Sequence, residues 1–127
     1  MLFRSRVAGN VVDPVVLASI EYAAAHLNCP LVVVLGHERC GAVHAAVLGG
    51  EAHGHLSSIM EQLAPSVAQV RTQEGDLVDN AVRANVKRMT QQLRNSKPVL
   101  DEMVTAGKLK VIGARFDLDT GVVEWMQ

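Results

Sequence analysis

The feature that most constrains the fold is a run of five aliphatic residues, LVVVL at positions 31–35, which ends at Gly36. Uninterrupted leucine and β-branched side chains are typical of a strand that is covered on both faces, as in a parallel sheet. Parallel strands need long crossover connections, and these are usually helices. The run therefore predicts an α/β domain, in which functional groups gather at the carboxyl ends of the strands.

Segments with strand-like and helical patterns alternate along the rest of the chain. The 127 residues fit one domain, and we expect residues 1–127 to form it. The predicted fold class is α/β, with a mainly parallel sheet flanked by helices. Strands are predicted at 2–7, 31–35, 108–116 and 122–126, a loop at 51–55 and a turn at 117–121. Helices are predicted at 13–27, from 40 or 41 to 49, at 56–64 ending before Pro65, at 76–95, and from Pro98 to just before Gly107.

Charge and composition exclude several classes of function. The formal net charge is −1 and aromatic residues make up 3% of the chain, which argues against a nucleic-acid partner. The sequence contains no apolar run of the roughly 20 residues that a membrane span needs. The first residues lack the pattern of a signal peptide, so we expect a cytoplasmic protein in which Cys29 and Cys40 are reduced thiols.

The sharpest motif is GHERCG, in which His37 and Cys40 flank the predicted strand-to-helix turn. Imidazole nitrogen and thiolate sulfur are ligands that zinc prefers, so the pair is a candidate metal site. The first backbone amides of the following helix would face the same place, which makes Gly41 the candidate substrate-binding residue. The spacing alone also fits a buried thiol beside a capping histidine, since a catalytic zinc normally has three protein ligands.

Other candidate ligands have simpler interpretations. His44 and Cys29 are possible third donors, but a helix-surface histidine and a thiol at a helix end are the favoured interpretations. His53 and His55 are interpreted as exposed loop residues. The segment DLDTG at 117–121 lacks the terminal glutamate of a calcium loop, so it is predicted to be a turn.

Taken in order, several segments resemble the β-class carbonic anhydrases. The resemblance covers nearly the whole chain, and the ordered set is more specific than any single motif. Its segments are RVAGN at 6–10, ASIEYA at 18–23, VVVLGHERCGAV at 32–43, NVK beginning at Asn85, and GKLKVIGARFDLDTGVV at 107–123.

The resemblance implies a zinc enzyme that interconverts carbon dioxide and bicarbonate, assembled as a dimer or higher oligomer. In that family two cysteines and one histidine hold zinc, and the GHxxCG motif supplies the histidine and the second cysteine, here His37 and Cys40. The family's first cysteine lies in a CxDSR pattern, together with an aspartate and an arginine that pair beside the metal. These 127 residues do not contain that pattern. We therefore expect a truncated domain with weak or no activity alone, zinc that is partly bound or absent, and no assignable catalytic residue.

In the family, the strand that carries CxDSR lies between the strands that correspond to residues 2–7 and 31–35. Without it, those two strands would stand about 10 Å apart with unpaired backbone groups. Either the two strands close up and pair, or another chain fills the gap, which predicts a rearranged or intertwined homo-oligomer. Two other functions remain open: a non-catalytic scaffold or interaction subunit, and a module that binds bicarbonate or another small anion at the helix beginning near Cys40.

Overall fold

The computed structural model describes residues 2–127 as an α/β domain, which confirms the predicted fold class. A short 3₁₀ helix precedes five α-helices and three strands. Most predicted elements are present within a few residues of their predicted bounds. The elements are the 3₁₀ helix Ala8–Asn10, α1 Pro14–Ala25, β1 Leu31–His37, α2 Gly41–Leu48, α3 Leu56–Val70, α4 Leu77–Arg94, α5 Val99–Thr105, β2 Lys110–Phe116 and β3 Val123–Met126.

The sheet has the strand order β1-β2-β3. β1 and β2 are parallel over seven residue pairs, from Leu31 opposite Lys110 to His37 opposite Phe116. β3 is antiparallel to β2 over four pairs, after the predicted turn at 117–121. The sheet is thus mainly parallel, and its carboxyl end carries the GHERCG turn.

The two faces of β1 differ sharply in exposure. Val34 and Gly36 are buried on the face that packs against α4, and residues of α1 and α5 join the same core cluster. Leu31, Val33 and Leu35 point to the opposite face and are exposed. The expectation that the apolar run is covered on both faces is therefore wrong for the described residues: one face is covered and the other is open.

The prediction of a strand at 2–7 is also wrong. These residues have no strand assignment, and β1 pairs only with β2 in the part of the chain that the structure describes. Residues 2–7 and 31–35, the two segments that would flank the missing central strand, therefore do not close up and pair within one chain. An extended segment with no neighbouring strand cannot form the ladder of hydrogen bonds that defines a strand.

Helix α3 continues past the predicted stop at Pro65 and ends at Val70. Proline in a helix interior removes one backbone hydrogen bond and costs about 3 kcal/mol. Ser66, Val67 and Val70, all after the proline, are buried against the core. The burial of these residues offsets the local cost, which is why the proline does not end the helix.

A buried asparagine fastens the first residues to the helical layer. Asn85 of α4 is 1% exposed and donates from Nδ2 to the carbonyl oxygen of Gly9, over 2.9 Å. Its Oδ1 accepts from the hydroxyl of Ser66 on α3, over 3.2 Å. The Ala8–Asn10 turn is thus fixed to both α3 and α4. None of the helices in residues 2–127 is both long and apolar enough to cross a membrane.

Candidate metal centre

The candidate ligands lie where the sequence predicts them, on either side of one tight turn. His37 is the last residue of β1, and Cys40 is the N-cap of α2. Arg39, between them, has a left-handed backbone with φ of 51°. The Glu38 amide donates to the carbonyl of Phe116 at the end of β2, over 3.2 Å. The turn is therefore held against the carboxyl end of the sheet.

The imidazole of His37 is exposed, and one of its nitrogens is engaged. Nδ1 lies 2.8 Å from the backbone carbonyl oxygen of Glu38. A carbonyl only accepts, so Nδ1 carries the proton and donates. In the neutral ring Nε2 is then the nitrogen with a free lone pair, and this arrangement is common for histidines that bind metals.

Cys40 contributes a free thiol that is 7% exposed. It packs in a core cluster with Val11, Val43 and Leu63, while its backbone carbonyl accepts from the amide of His44 over 2.9 Å. The side chain makes no capping hydrogen bond to the helix. The thiol is therefore positioned by packing, and its sulfur is not engaged as a helix cap.

Gly41 is the first residue of α2, an eight-residue helix. A Cβ built on Gly41 would have no heavy atom within 4 Å. The backbone at the start of α2 is therefore open to approach by a small molecule. The role of Gly41 in substrate binding stays a prediction.

The other histidines do not join this pair. His44, His53 and His55 are exposed, and His26 stacks on Tyr22 with ring centroids 5.2 Å apart. Within residues 2–127, no group of three potential ligand atoms that lie within 4.8 Å of one another includes His37 or Cys40. The suggestion that His44 or Cys29 of the same chain supplies a third ligand is therefore wrong for this conformation.

The group of three potential ligands that the described residues do form is acidic: Glu38, Asp117 and Asp119. Neighbouring groups donate hydrogen bonds to all three carboxylates. Asp119 accepts two hydrogen bonds from Arg39, at 2.8 and 3.0 Å, and Glu38 Oε1 accepts from the amide of Leu118 at 2.7 Å. Each carboxylate therefore already has a partner, without a bound cation.

The predicted turn at 117–121 is confirmed. Asp117 Oδ1 accepts from the amides of Asp119 and Thr120, over 3.0 and 2.9 Å. Hydrogen bonds from Thr120 hold the pKa of Asp117 below its ordinary value, and the ion pair with Arg39 does the same for Asp119. Both aspartates thus stay ionised at neutral pH as parts of a turn.

Sequence reasoning missed a second charged group beside the turn. Arg115, with 12% of its side chain exposed, donates from Nε to Asp79 Oδ1 over 2.6 Å. Asp79 also accepts from Arg83, which in turn forms two 2.8 Å hydrogen bonds with Glu124. Asp79 and Arg83 are four residues apart on a helix, and this spacing could have predicted the ion pair between them. The pairs with β2 and β3 become visible only in the folded chain.

The residues at the turn fit zinc in kind but not in number. One imidazole nitrogen and one thiolate sulfur belong to the zinc ligand set, whereas the carboxylates nearby are already held by arginines and amides. A catalytic zinc normally has three protein ligands. Within residues 2–127, no group of three ligand atoms forms around His37 or Cys40, so the turn offers two donors of a suitable kind without a third.

Comparisons with a family model and with individual known proteins identify the same family. The model of the carbonic anhydrase family matches residues 1–123. The chain is 38% identical over 124 residues to carbonic anhydrase 2 of Mycobacterium tuberculosis H37Rv, covering 94% of this chain and 60% of that protein. It is 35% identical over 127 residues to the carbonic anhydrase of Mycolicibacterium smegmatis, covering 97% of this chain and 62% of that protein.

Solved structures agree on the fold. A tetrameric β-carbonic anhydrase of Sordaria macrospora superposes with a TM-score of 0.84 at 28% identity, covering 94% of this chain and 64% of that one. The β-carbonic anhydrase of Coccomyxa, solved with acetazolamide, gives a TM-score of 0.82 at 23% identity, covering 96% of this chain and 59% of that one. The chain spans about 60% of the length of these curated relatives.

Proposed function

Because the chain belongs to the β-class carbonic anhydrase family, we propose that it contributes part of a zinc site for the interconversion of carbon dioxide and bicarbonate. His37 and Cys40 are the proposed metal ligands. The observation that carries this proposal is the hydrogen bond from Nδ1 of His37 to the Glu38 carbonyl, because it leaves Nε2 as the nitrogen available to a metal, while the thiol of Cys40 makes no capping hydrogen bond.

The residues of this chain have distinct proposed roles at the turn. Zinc, when bound, supplies a Lewis acid, and carbonic anhydrase is itself the standard example of that chemistry. The Glu38 carbonyl orients His37, and packing of Cys40 in the core fixes the direction of the sulfur. The open backbone at Gly41 leaves space for a small anion such as bicarbonate at the start of α2.

The number of proposed protein ligands, two, supports a partial zinc site. We propose that the chain alone binds zinc weakly and hydrates carbon dioxide slowly, because two protein donors are fewer than a catalytic zinc normally has. A third donor from another segment or another chain would raise both affinity and rate.

A second candidate, the non-catalytic interaction subunit, is favoured by the same incomplete ligand set. Such a chain would keep the fold and associate with other copies, as the tetrameric Sordaria protein does. We propose homo-oligomerisation for this chain on that likeness. We also propose a cytoplasmic location, which the two free thiols support.

The proposed metal ligands can be tested with cobalt and zinc. Cobalt(II) bound through Cys40 would show a thiolate-to-metal charge-transfer band, and zinc content would be measured by mass spectrometry after dialysis. We expect His37→Ala and Cys40→Ala to abolish both signals and His44→Ala, an exposed histidine on the next helical turn, to keep them. Circular dichroism would verify that the variants fold, since Cys40 is buried.

Carbon dioxide hydration followed by stopped flow separates the two candidate functions. Slow turnover that disappears in His37→Ala supports a partial catalytic site. Weak zinc binding without any turnover supports the interaction subunit. Tight, stoichiometric zinc that survives both ligand substitutions would contradict the assignment of His37 and Cys40.

A further inference from the structure

Glu38 lies between the two proposed ligands in the chain, and its side chain is held by a turn about 80 positions away. Glu38 Oε1 accepts hydrogen bonds from the backbone amides of Leu118 and Asp119, over 2.7 and 3.3 Å. Only 14% of the Glu38 side chain is exposed. A carboxylate that accepts from backbone amides at such low exposure keeps its direction, because turning away would leave polar groups without partners. The turn at 117–121 therefore clamps the Glu38 side chain.

Two guanidinium groups lie beside the same carboxylate. Arg115 Nη2 is 3.6 Å from Glu38 Oε2, and Arg39 Nη1 is 3.5 Å from Glu38 Oε1. Arg115 is 12% exposed and is itself held by Asp79 of α4, over 2.6 Å. The charged network that joins α4 to β2 thus reaches Glu38, whose carboxylate is restrained from the helical layer as well as from the turn.

The backbone of Glu38 is restrained as well. Its amide donates to the carbonyl of Phe116 over 3.2 Å, and its own carbonyl accepts from Nδ1 of His37 over 2.8 Å. The peptide unit that carries this carbonyl joins Glu38 to Arg39, whose φ of 51° is uncommon for a residue with a side chain. An uncommon backbone conformation persists only where its surroundings enforce it. Without that restraint, rotation of this peptide unit would turn the carbonyl away from the imidazole.

Two side-chain contacts could restrain this peptide unit, and they differ in burial. Arg39 donates two hydrogen bonds to Asp119, but 58% of the Arg39 side chain and 68% of the Asp119 side chain are exposed. Exposed ion pairs contribute little to stability, because water and salt screen them. The contact of Glu38 with the turn is much less exposed, so Glu38 supplies the stronger restraint.

We propose that Glu38 is a positioning residue for His37. Its carboxylate, clamped by the turn at 117–121, holds the Glu38 carbonyl where it accepts the Nδ1 proton, and Nε2 is thereby left unprotonated. Which imidazole nitrogen carries the proton is set by the hydrogen bond that the other one makes. The value of this arrangement for binding a metal rests on the proposed function, whereas the orientation and protonation of the ring are properties of the metal-free chain.

The first experiment observes the His37 ring in the metal-free chain. Long-range proton–nitrogen correlation spectra distinguish a ring protonated on Nδ1 from one protonated on Nε2, and His37→Ala identifies the His37 signals among those of the five histidines. At a pH where the imidazoles are neutral, we expect the parent chain to carry the His37 proton mainly on Nδ1. Glu38→Ala should move that proton mainly to Nε2, because the carbonyl is no longer held beside Nδ1.

Three further variants separate positioning from a general effect on stability. Glu38→Gln keeps an oxygen that can accept from the turn amides and should keep the parent's ring protonation. Glu38→Asp keeps the charge but is one methylene shorter, so it should resemble Glu38→Ala and replaces that variant if it does not fold. Glu124→Ala is the matched control. It removes a carboxylate at the same end of the sheet that accepts two 2.8 Å hydrogen bonds from Arg83, and it should leave the His37 ring unchanged.

A second experiment measures the affinity for zinc and cobalt by titration of the same variants. Glu38→Ala is expected to raise the dissociation constant about tenfold, the lower end of the effect of losing a group that orients a metal-binding histidine. Glu38→Gln and Glu124→Ala should keep the dissociation constant close to that of the parent chain. If the parent chain binds neither metal, the proposed function fails, while the ring spectra still decide whether Glu38 positions His37.

An unchanged His37 ring in a Glu38→Ala variant whose circular dichroism matches that of the parent would overturn the proposal. Equal changes of the ring in Glu38→Ala and Glu124→Ala would also overturn it, since they would show a general loss of order at this end of the sheet. A Glu38→Gln variant that behaves like Glu38→Ala would show that an oxygen in contact with the turn amides is not sufficient, and would contradict the clamp.

Discussion

Gly36, next to His37 on β1, faces Val86 of α4 so closely that a Cβ at residue 36 would lie 2.6 Å from Val86 Cγ2. Gly113 on β2 stands in the same relation to the other methyl group, with a Cβ at 2.7 Å from Cγ1. Val86 is 0% exposed. The two glycines thus let α4 pack directly on the sheet, and this packing sets the position of the strand end that carries His37.

Gly36→Ala is expected to destabilise the domain by about 2 kcal/mol, because an added methyl in a packed core forces the helix or the strand to shift. Gly41→Ala is the control, since a Cβ there meets nothing within 4 Å, and its effect should stay within about 0.5 kcal/mol. Urea unfolding at one fixed protein concentration measures both. Equal stability of Gly36→Ala and the parent chain would show that α4 can shift to accommodate the added methyl group with no loss of free energy of unfolding.

Asn85→Ala is expected to lower the free energy of unfolding by about 3 kcal/mol. The substitution leaves the Gly9 carbonyl and the Ser66 hydroxyl without their buried partner, and each such group costs about 1–3 kcal/mol. Asn80→Ala removes an exposed hydrogen bond of similar length, 3.0 Å to the Glu74 carbonyl, and should cost less than about 1 kcal/mol. If the two variants unfold at the same urea concentration, burial of the Asn85 network is not what stabilises the turn.

Local sequence patterns were sufficient to predict much of the fold and the position of the two candidate ligands on it. The apolar run at 31–35, the Asp13-Pro14 helix start and the spacing of apolar residues in α4 all act within one element, so the corresponding strand and helices could be predicted. His37 and Cys40 could be chosen because their position depends on one strand-to-helix turn.

Features that depend on distant residues were not predictable in the same way. The failure of residues 2–7 to form a strand depends on what lies beside them, which their own sequence does not encode. The pair of Arg115 with Asp79 joins β2 to α4 across 36 positions. Whether a proline ends a helix depends on how much burial follows it, as at Pro65 in α3.

Pro65→Ala is expected to raise the free energy of unfolding by about 1–2 kcal/mol. Pro65 is exposed inside α3, so alanine there loses no packing and regains a helical hydrogen bond, offset in part by a more flexible unfolded chain. Ala68→Pro, at another exposed position of the same helix, should lower stability by about 3 kcal/mol. Thermal and urea unfolding both report the change, and a loss of stability in Pro65→Ala would show that the proline is needed for the shape of α3.

The carboxylate of Asp79 links two arginines, and its titration gives a prediction about pH. Burial by itself would raise the pKa of Asp79, but hydrogen bonds from Arg83 and Arg115 outweigh burial and hold the pKa below its ordinary value of 3.8. A carboxyl group with a lower pKa in the folded state than in the unfolded state stabilises the fold when it is ionised. That contribution is present above pH 3.8 and is lost as the pH falls through the lower pKa of the folded protein.

Asp79→Asn should therefore cost about 2 kcal/mol at neutral pH, the amount typical of hydrogen bonds to a charged group, and the difference from the parent chain should shrink as the pH falls below 3.8. Urea unfolding between neutral pH and pH 3 measures this difference. Glu61→Gln, at an exposed carboxylate of α3 that makes no ion pair within residues 2–127, is the control, and we expect its free energy of unfolding to stay close to that of the parent. A cost that stays constant down to pH 3 would show that Asp79 acts through its shape and not through its charge. In that case the pairs it forms with Arg83 and Arg115 would not be what ties α4 to the carboxyl end of the sheet.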